Sequence, residues 1–571
     1  MRKFESALAA IVAAALAVPA CAAPPATALI VDGAGKAVLR VELPELREVA
    51  RGDLPLPPHE AVPSPDGARL AVLHRGTGSI SFWAETYQPE APAHLYLLDP
   101  TTLAVAHAVP LGWGTPAVVW SPDGGRLVAF TPGFTPRRKG SPVAGEMVAV
   151  DATTGAARRL DLGRPAQAFL PLPGGGGAVV FFEALTGKQG SRPAELAFVD
   201  LGTLEIAARL TLAGNPQAPV TLAGDEHLYL IDPGQRGARG ALLVVSTVQR
   251  TLARTVELGM RPEVAVLDDA GGRLLLFAME GKDVPLRDRM GLLHVVSGGD
   301  SRATVRVPWQ PAQVRLSADG ATAWVLGALA VSTVDLARGT ASPQLAVGNG
   351  SFALAVTDDA SRAYVLRLTN EVCCAMTVVD LPALREVEKL STGSTGERIF
   401  QALGAAAASY ASYQVEKERA VERGRSTFYY TIYAPRVATP AVAPLVAGPD
   451  GTAFALDVQT DDVTVVSREG QRLANVDVAA GGRWLQWLSP QQVLAAVGQE
   501  AVTLIDAATR QSIQTLSFRW RAQDVVTAPE HGLALILGAH EVVAVESASG
   551  RTLARRDGFG SLAQVLVEGG P

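Results

Sequence analysis

The fold of this chain is decided by the stretch WSPDGGRLVAF at residues 120–130. Two apolar runs flank a Ser-Pro-Asp-Gly turn, in which proline presets the backbone and glycine takes the left-handed conformation. The same turn stands at residues 64–67, and weaker forms stand at residues 317–320 and 448–451. A tight turn between two short apolar runs predicts a pair of antiparallel strands, and its recurrence predicts a repeated unit.

The repeat has the period of a β-propeller blade. The acidic residues Asp99, Asp151 and Asp200, which end the third predicted strand of successive units, are 52 and 49 residues apart. Asp506 and Glu546 are 40 residues apart. Periods of about 40 to 50 residues are typical of four-stranded propeller blades. Helical periodicity is almost absent, so we predict an all-β propeller.

The unit count suggests how the propeller is organised. The repeat phrases number eleven or twelve, whereas a propeller ring usually has about 4 to 8 blades. We therefore predict two rings, at residues 27–310 and 311–571, with the boundary placed on length alone. Residues 27–42 supply middle strands without an inner strand, and residues 561–568 supply a strand without a blade. We predict that these terminal strands pair and close the fold.

Residues 1–22 have the features of an export signal. Arg2 and Lys3 supply positive charge, and the apolar stretch at residues 7–18 is too short to span a bilayer. Cleavage after Ala22 would release a secreted protein. Cleavage before Cys21 would leave a lipid-anchored one, because residues 18–21 resemble a lipobox, although Pro19 departs from that pattern. In both cases we expect the folded part outside the cytoplasm, in the periplasm, anchored to the outer membrane as a lipoprotein, or secreted.

One unit, residues 393–440, departs from the sequence repeat. It lacks an Asp-Gly turn and contains a charged segment at residues 416–423. Five of the nine tyrosines of the chain fall here. The candidate binding residues of this unit are Tyr410, Tyr413, Phe428, Tyr429, Tyr430 and Tyr433. They form either the core of a degenerate blade or an aromatic binding surface, since tyrosine combines apolar area with a polar group.

The chain carries no assembled set of catalytic or metal-ligating residues. Its net charge of −6 does not favour a nucleic acid or an anionic membrane as partner. Gly-x-Ser-x-Gly, Cys-x-x-Cys-His and phosphate-loop motifs are absent from the sequence. The eight histidines are scattered, without a closely spaced pair. We therefore predict no catalytic residue, no metal and no cofactor.

Two groups of propellers resemble this chain along nearly its whole mature length. The stretch at residues 120–130 resembles the repeats of TolB-type propellers of bacterial periplasms. RAYVL at residues 362–366, followed by TVVD at 377–380 and KLSTG at 389–393, is similar to the YVTN repeat of secreted, surface and lactonase-like propellers. The resemblance implies a propeller fold. It implies little about function, because these motifs specify turns and strands that proteins with unrelated activities share.

A weaker resemblance concerns Cys373 and Cys374. Adjacent cysteines resemble the vicinal disulfide of quinoprotein alcohol dehydrogenases, and AVDATTG at residues 149–155 resembles part of the docking repeat of that family. The tryptophan that follows this glycine in the family is missing here. The alternative interpretation is a pair of small, half-buried residues on or beside a strand.

These observations favour a binding function. We expect an extracytoplasmic scaffold that engages a protein, peptide or glycan through its loops, because loops vary while the strands hold them. The alternatives are a lactonase-like enzyme centred on the channel, a quinoprotein-like oxidoreductase and a structural partner in an envelope assembly.

Overall fold

The computed structural model describes residues 26–568 except for residues 82–85, 113, 116, 134–142, 173, 188–189, 218, 223, 235–237, 269–270, 286–287, 369–372, 392–443, 458–459 and 490–491. The predicted export signal with Cys21 lies outside the described residues, and so do all six aromatic candidates of the irregular unit.

The first half of the described chain is a succession of short strands. They are β1 (Thr27–Asp32), β2 (Ala37–Glu42), β3 (Arg47–Asp53), β4 (Glu60–Pro63), β5 (Leu70–His74), β6 (Thr77–Ser81), β7 (Thr86–Ala91), β8 (His94–Leu98), β9 (Val105–Pro110), β10 (Ala117–Trp120), β11 (Arg126–Thr131), β12 (Glu146–Asp151), β13 (Ala157–Asp161), β14 (Ala168–Pro171), β15 (Gly177–Phe182), β16 (Leu185–Gly187), β17 (Gly190–Arg192), β18 (Ala194–Asp200), β19 (Glu205–Leu212), β20 (His227–Asp232), β21 (Arg239–Ser246), β22 (Thr251–Asp268), β23 (Arg273–Met279), β24 (Gly291–Ser297) and β25 (Asp300–Val307).

The second half continues in the same way. Its strands are β26 (Gln313–Leu316), β27 (Thr322–Leu326), β28 (Ala330–Asp335), β29 (Thr340–Ala341), β30 (Leu345–Ala346), β31 (Ser351–Val356), β32 (Arg362–Leu368), β33 (Cys373–Asp380), β34 (Arg385–Ser391), β35 (Leu445–Ala447), β36 (Ala453–Asp457), β37 (Asp462–Val466), β38 (Arg472–Asp477), β39 (Trp484–Trp487), β40 (Val493–Val497), β41 (Ala501–Asp506), β42 (Gln511–Ser517), β43 (Ala522–Ala528), β44 (Leu533–Gly538), β45 (Val542–Glu546), β46 (Thr552–Arg556) and β47 (Leu562–Glu568). Short 3₁₀ turns lie at Pro449–Gly451 and Pro529–His531. No helix in the described residues is long and apolar enough to cross a membrane.

These strands form a β-propeller of ten antiparallel sheets in a ring, which confirms the predicted fold class. Most sheets have four strands in chain order, and the hairpins β6–β7 and β16–β17 stand apart from them. The sheet count is below the predicted eleven or twelve units for a physical reason. The long strand β22 pairs with β21 along its first half and with β23 along its second half, so two units share one six-stranded sheet. The two halves of this sheet still pack against each other, through Leu242 and Val244 on β21 and Leu274 and Leu276 on β23.

Hydrophobic contacts join the units into one closed series, so the prediction of two rings is wrong. The series continues across residue 310, where Val305 and Val307 pack with Val314 and Ala323. Clusters of the same kind join each described sheet to the next and the last sheet to the first. Because each seam uses aliphatic and aromatic side chains of the same kinds, no local pattern marks the start of a second ring.

The pairing of the terminal strands is confirmed. Strand β47 pairs antiparallel with β1, from Thr27 opposite Glu568 to Asp32 opposite Leu562. Asp32 is 4% exposed, and its carboxylate accepts hydrogen bonds from the backbone N–H groups of Gly560 (3.0 Å) and Ser561 (2.9 Å). The pairing removes the open edge of β1, where another chain would otherwise add.

The two faces of the ring differ. On one, the tight-turn face, the first and second strands of each sheet and the third and fourth are joined by short turns. In the turn at residues 121–124, Ser121 Oγ donates to Asp123 Oδ1 (2.5 Å) and Gly124 has φ 68°. The other, the long-loop face, carries the connections between second and third strands and between successive sheets. The strand ends His74, Thr131, Phe182, Met279 and Ser391 lie at this face.

Candidate functional site

A row of three histidines lies at the long-loop end of the second sheet (β4, β5, β8 and β9). His74 on β5 is opposite His94 on β8 in the strand register. His59 precedes β4, and its backbone N–H donates to the carbonyl of Leu73 (2.8 Å), which brings it beside His74. The ring centroids of His59 and His74 are 5.3 Å apart, and those of His74 and His94 are 6.5 Å apart. Sequence reasoning treated these histidines as scattered, although the register of three neighbouring strands aligns them.

Backbone carbonyls orient two of these rings. The Nδ1 atom of His74 lies 2.7 Å from the carbonyl oxygen of Pro57, and that of His94 lies 3.2 Å from the carbonyl oxygen of Pro92. A carbonyl only accepts, so Nδ1 carries the proton in both rings. His74 is fully buried, and its Nε2 atom has no hydrogen-bond partner among the described residues.

Two histidines of the row, His59 and His74, are uncharged at neutral pH. Burial lowers the pKa of His59 to about 4 and also lowers the pKa of His74. The backbone N–H of Arg75 donates to His59 Nδ1 (3.3 Å), so the proton of the neutral ring is on Nε2. Nowhere in the described part of the chain do three His, Cys, Asp or Glu side chains have an arrangement that could hold a metal ion. His59 and His74 are therefore a neutral pair in the second sheet, and His74 is the fully buried member.

An arginine cluster lies at the long-loop end of the fourth sheet (β14, β15, β18 and β19). Arg164 and Arg209 both stack over Phe182, with Cζ atoms 4.5 and 5.7 Å from the ring centroid. The carboxylate of Glu195 contacts both guanidinium groups: Oε1 accepts a hydrogen bond from Arg209, and Oε2 lies 3.7 Å from Nη2 of Arg164. Desolvation lowers the pKa of Arg164, Glu195 opposes this effect, and the charges of Arg192 and Arg209 add to it.

An exposed tryptophan stands on the connection between the last two sheets before closure. Trp520 is 58% exposed and lies between the exposed residues Arg519 and Arg521. Its ring meets the ring of His540 in an edge-to-face arrangement, with centroids 5.5 Å apart. We call Arg519, Trp520, Arg521 and His540 the Trp520 patch. Both connections that form it, residues 518–521 and 539–541, lie on the long-loop face.

The Trp520 patch is held by its surroundings. The backbone N–H of Arg519 donates to Glu541 Oε1 (3.0 Å), and the other carboxylate oxygen of Glu541 accepts from Arg555 Nε (2.8 Å). The guanidinium of Arg555 lies over the buried ring of Phe518, 5.6 Å from its centroid. His540 Nδ1 lies 3.1 Å from the carbonyl oxygen of Phe559. A buried aromatic residue and a paired carboxylate thus support the exposed tryptophan.

The side chains of the predicted site residues lie outside the part of the chain that the structure describes. Cys373 and Cys374 begin β33, and their side chains lie outside the described residues. The aromatic candidates, Tyr410 to Tyr433, belong to the connection between Ser391 and Leu445, which joins two sheets at the long-loop face. The predicted binding role of this unit stays a prediction, as do the lactonase-like and quinoprotein alternatives. Sequence reasoning missed Trp520 and the arginine cluster.

Polar side chains on the first strands of the sheets join neighbouring sheets. Gln564 Oε1 accepts a hydrogen bond from the backbone N–H of Ala61 (2.8 Å), and Gln313 Oε1 accepts one from Leu354 (2.6 Å). The indole N–H of Trp120 donates to the carbonyl of Val62 (3.0 Å). These bonds satisfy backbone groups at open strand edges, which pairing within the sheet leaves free.

Comparisons with known proteins identify no family for this chain. No protein-family model matches the chain, and no curated protein matches it. The dihydro-heme d1 dehydrogenase NirN in complex with DHE is 17% identical over 66% of this chain and 75% of its own, with a TM-score of 0.32. Apo AztD from Citrobacter koseri is 12% identical over 65% of this chain and 96% of its own, with a TM-score of 0.28. The hydrazine synthase of Kuenenia stuttgartiensis is 12% identical over 59% of this chain and 96% of its own, with a TM-score of 0.29. These are β-propeller-type proteins, and the likeness extends to no function.

Proposed function

We propose that this chain is an extracytoplasmic β-propeller scaffold that binds a protein, peptide or glycan partner through its long-loop face. The observation that supports the proposal is the Trp520 patch. A tryptophan 58% exposed leaves a large apolar surface in water, and that exposed surface gains no burial on folding. Tryptophan and arginine are the residues most enriched among those that dominate binding energy, and here they are adjacent.

The patch is also preorganised for binding. The backbone N–H of Phe518 donates to the carbonyl of Glu500 (2.8 Å), and that of Ala522 donates to the carbonyl of Gln499 (2.8 Å). These two bonds fix both ends of the segment that carries Trp520. A segment held in this way loses little conformational entropy when a partner binds, so more of the contact energy appears as affinity.

The Tyr-rich connection extends the same proposal. Residues 392–443 lie outside the described residues, but the strand ends that flank them, Ser391 of β34 and Leu445 of β35, lie at the long-loop face, which also carries Trp520. In this proposal the aromatic residues of this connection and the Trp520 patch serve the same partner. The mild net charge of the chain fits a partner recognised by aromatic contacts rather than by bulk electrostatic attraction.

The test compares exposed apolar side chains on the two faces. Immobilised wild type, Trp520→Ala and Val248→Ala are used to capture partners from an envelope extract, and the dissociation constant is then measured with the purified partner. Val248 is the matched control, because it is 66% exposed but lies on the turn between β21 and β22, at the tight-turn face. We expect Trp520→Ala to weaken binding about 30-fold and Val248→Ala to leave it unchanged.

Two results would contradict the proposal. One is a Trp520→Ala variant that binds the captured partner as tightly as wild type. The other is equal weakening by Val248→Ala, which would place the contact on the opposite face. Replacing Tyr429, Tyr430 and Tyr433 together with alanine examines the connection separately, and unchanged capture would remove it from the interface.

A further inference from the structure

The arginine cluster of the fourth sheet has the geometry of an anion site. Phe182 ends β15 and is opposite Glu195 at the start of β18, so the ring and the carboxylate are neighbours on the sheet. Arg164 reaches the same ring from the connection that enters the sheet, and Arg209 reaches it from the outer strand β19. Two guanidinium groups therefore make cation–π contacts with one phenylalanine ring, and a single carboxylate lies between them.

The hydrogen bonding of the cluster is incomplete. Nη2 of Arg164 is buried and donates no hydrogen bond to any described residue, because its nearest carboxylate oxygen, on Glu195, is 3.7 Å away. Glu195 directs its other oxygen to Arg209. A buried, charged donor without an acceptor is costly, and an added acceptor would remove that cost.

The charge of the cluster is also unbalanced. A third arginine, Arg192, is exposed at the end of β17, three residues before Glu195, and its positive charge acts on Arg164. Arg164 and Arg209 therefore share one carboxylate, and Arg192 adds a third positive charge nearby. The side chain of Arg209 is 42% exposed, so a solute can approach the cluster from solvent.

We propose that Arg164, Arg192 and Arg209 bind a carboxylate anion at the long-loop end of the fourth sheet. The guanidinium fork matches a carboxylate in a bidentate arrangement. The ring of Phe182 is fully buried and positions the two guanidinium groups, so the ligand would contact the arginines rather than the ring. The site does not include Trp520, and binding of a small anion is measured without any partner, so its outcome is separate from that of the proposed function.

The experiment is an isothermal titration of the full-length protein with sodium malonate, with total ionic strength held constant by sodium chloride. We expect Arg209→Gln to weaken malonate binding about tenfold or more, because it removes one charge-assisted contact. We expect Glu195→Gln to strengthen binding severalfold, because Glu195 competes with the ligand for the same guanidinium groups. A purely structural role of the cluster would not give these opposite signs.

A matched arginine serves as the control. Arg239 lies on the same face and pairs with two carboxylates, Glu257 (2.6 Å) and Asp283 (3.1 Å), so its surroundings are negative rather than positive. Arg239→Gln should leave malonate binding unchanged. No heat of binding at millimolar malonate would overturn the proposal, and so would weakening by Glu195→Gln or unchanged binding in Arg209→Gln. Equal binding of sulfate would overturn the assignment to a carboxylate.

Discussion

Replacing His294 with leucine tests whether a buried neutral histidine makes this propeller sensitive to acid. His294 is 3% exposed and lies on β24, between Leu276 on β23 and Thr304 on β25. Its Nδ1 atom is 3.0 Å from Thr304 Oγ1, and its Nε2 atom has no hydrogen-bond partner in the described residues. Burial lowers the pKa of His294 to about 4.

The sign and the size of the effect follow from this shift. In the unfolded chain the imidazole titrates near its ordinary pKa of 6.5, so below that pH the unfolded state binds a proton that the folded state does not bind until the pH approaches 4. The free energy of unfolding therefore falls as the pH falls through this window. Between pH 7 and pH 5 the loss from His294 alone is about 2 kcal/mol.

The assay is urea denaturation of wild type and His294→Leu at pH 7 and at pH 5. Each protein is compared with itself, so any constant effect of the substitution cancels, and the titrations of His59 and His74 contribute equally to both proteins. Wild type should lose about 2 kcal/mol more than the variant between the two pH values. An equal loss in wild type and His294→Leu would refute the reasoning.

Two further substitutions test how the sheets are joined. Asp32→Ala leaves the backbone N–H groups of Gly560 and Ser561 without their acceptor, and we expect the free energy of unfolding to fall by about 2 to 4 kcal/mol in urea denaturation; an unchanged value would show that the closure does not depend on this carboxylate. Tyr364→Phe removes the hydroxyl that donates to the carbonyl of Gly451 across the seam beside the Tyr-rich connection. This should lower the free energy of unfolding by about 1 kcal/mol, and a melting temperature equal to that of wild type would contradict it.

The fold was predictable because its signals are local. A Ser-Pro-Asp-Gly turn such as residues 121–124 specifies its own geometry, and the period between units needs no knowledge of distant contacts. The closing pair of β1 and β47 was predictable because each end of the chain carries part of a blade. The count of sheets was not, because β22 runs through two units without a break. The number of rings depends on the contacts between neighbouring units around the whole molecule. The sequence of a single unit does not determine it.

The candidate site was less predictable because it depends on register and exposure. His59, His74 and His94 are far apart along the chain and meet only when three strands align. Arg164 and Arg209 are 45 residues apart and share a ring that belongs to a third segment. Composition drew attention to the tyrosines of residues 393–440, whereas a single exposed tryptophan such as Trp520 leaves no mark in composition.

The pairing of β1 with β47 also determines when the first sheet can be completed during synthesis. The first sheet to be synthesised is the last to be completed, because its inner strand is separated from β1 by almost the entire chain. At about 5 to 20 residues per second, the apolar edge formed by Leu29, Ile30 and Val31 stays unpaired for roughly half a minute or longer. During that interval it is a template for strands of other chains. The pairing of β1 with β47 protects the finished ring, but until β47 is synthesised β1 can aggregate with other chains. Any factor that shields nascent β1 would therefore act before the ring has formed.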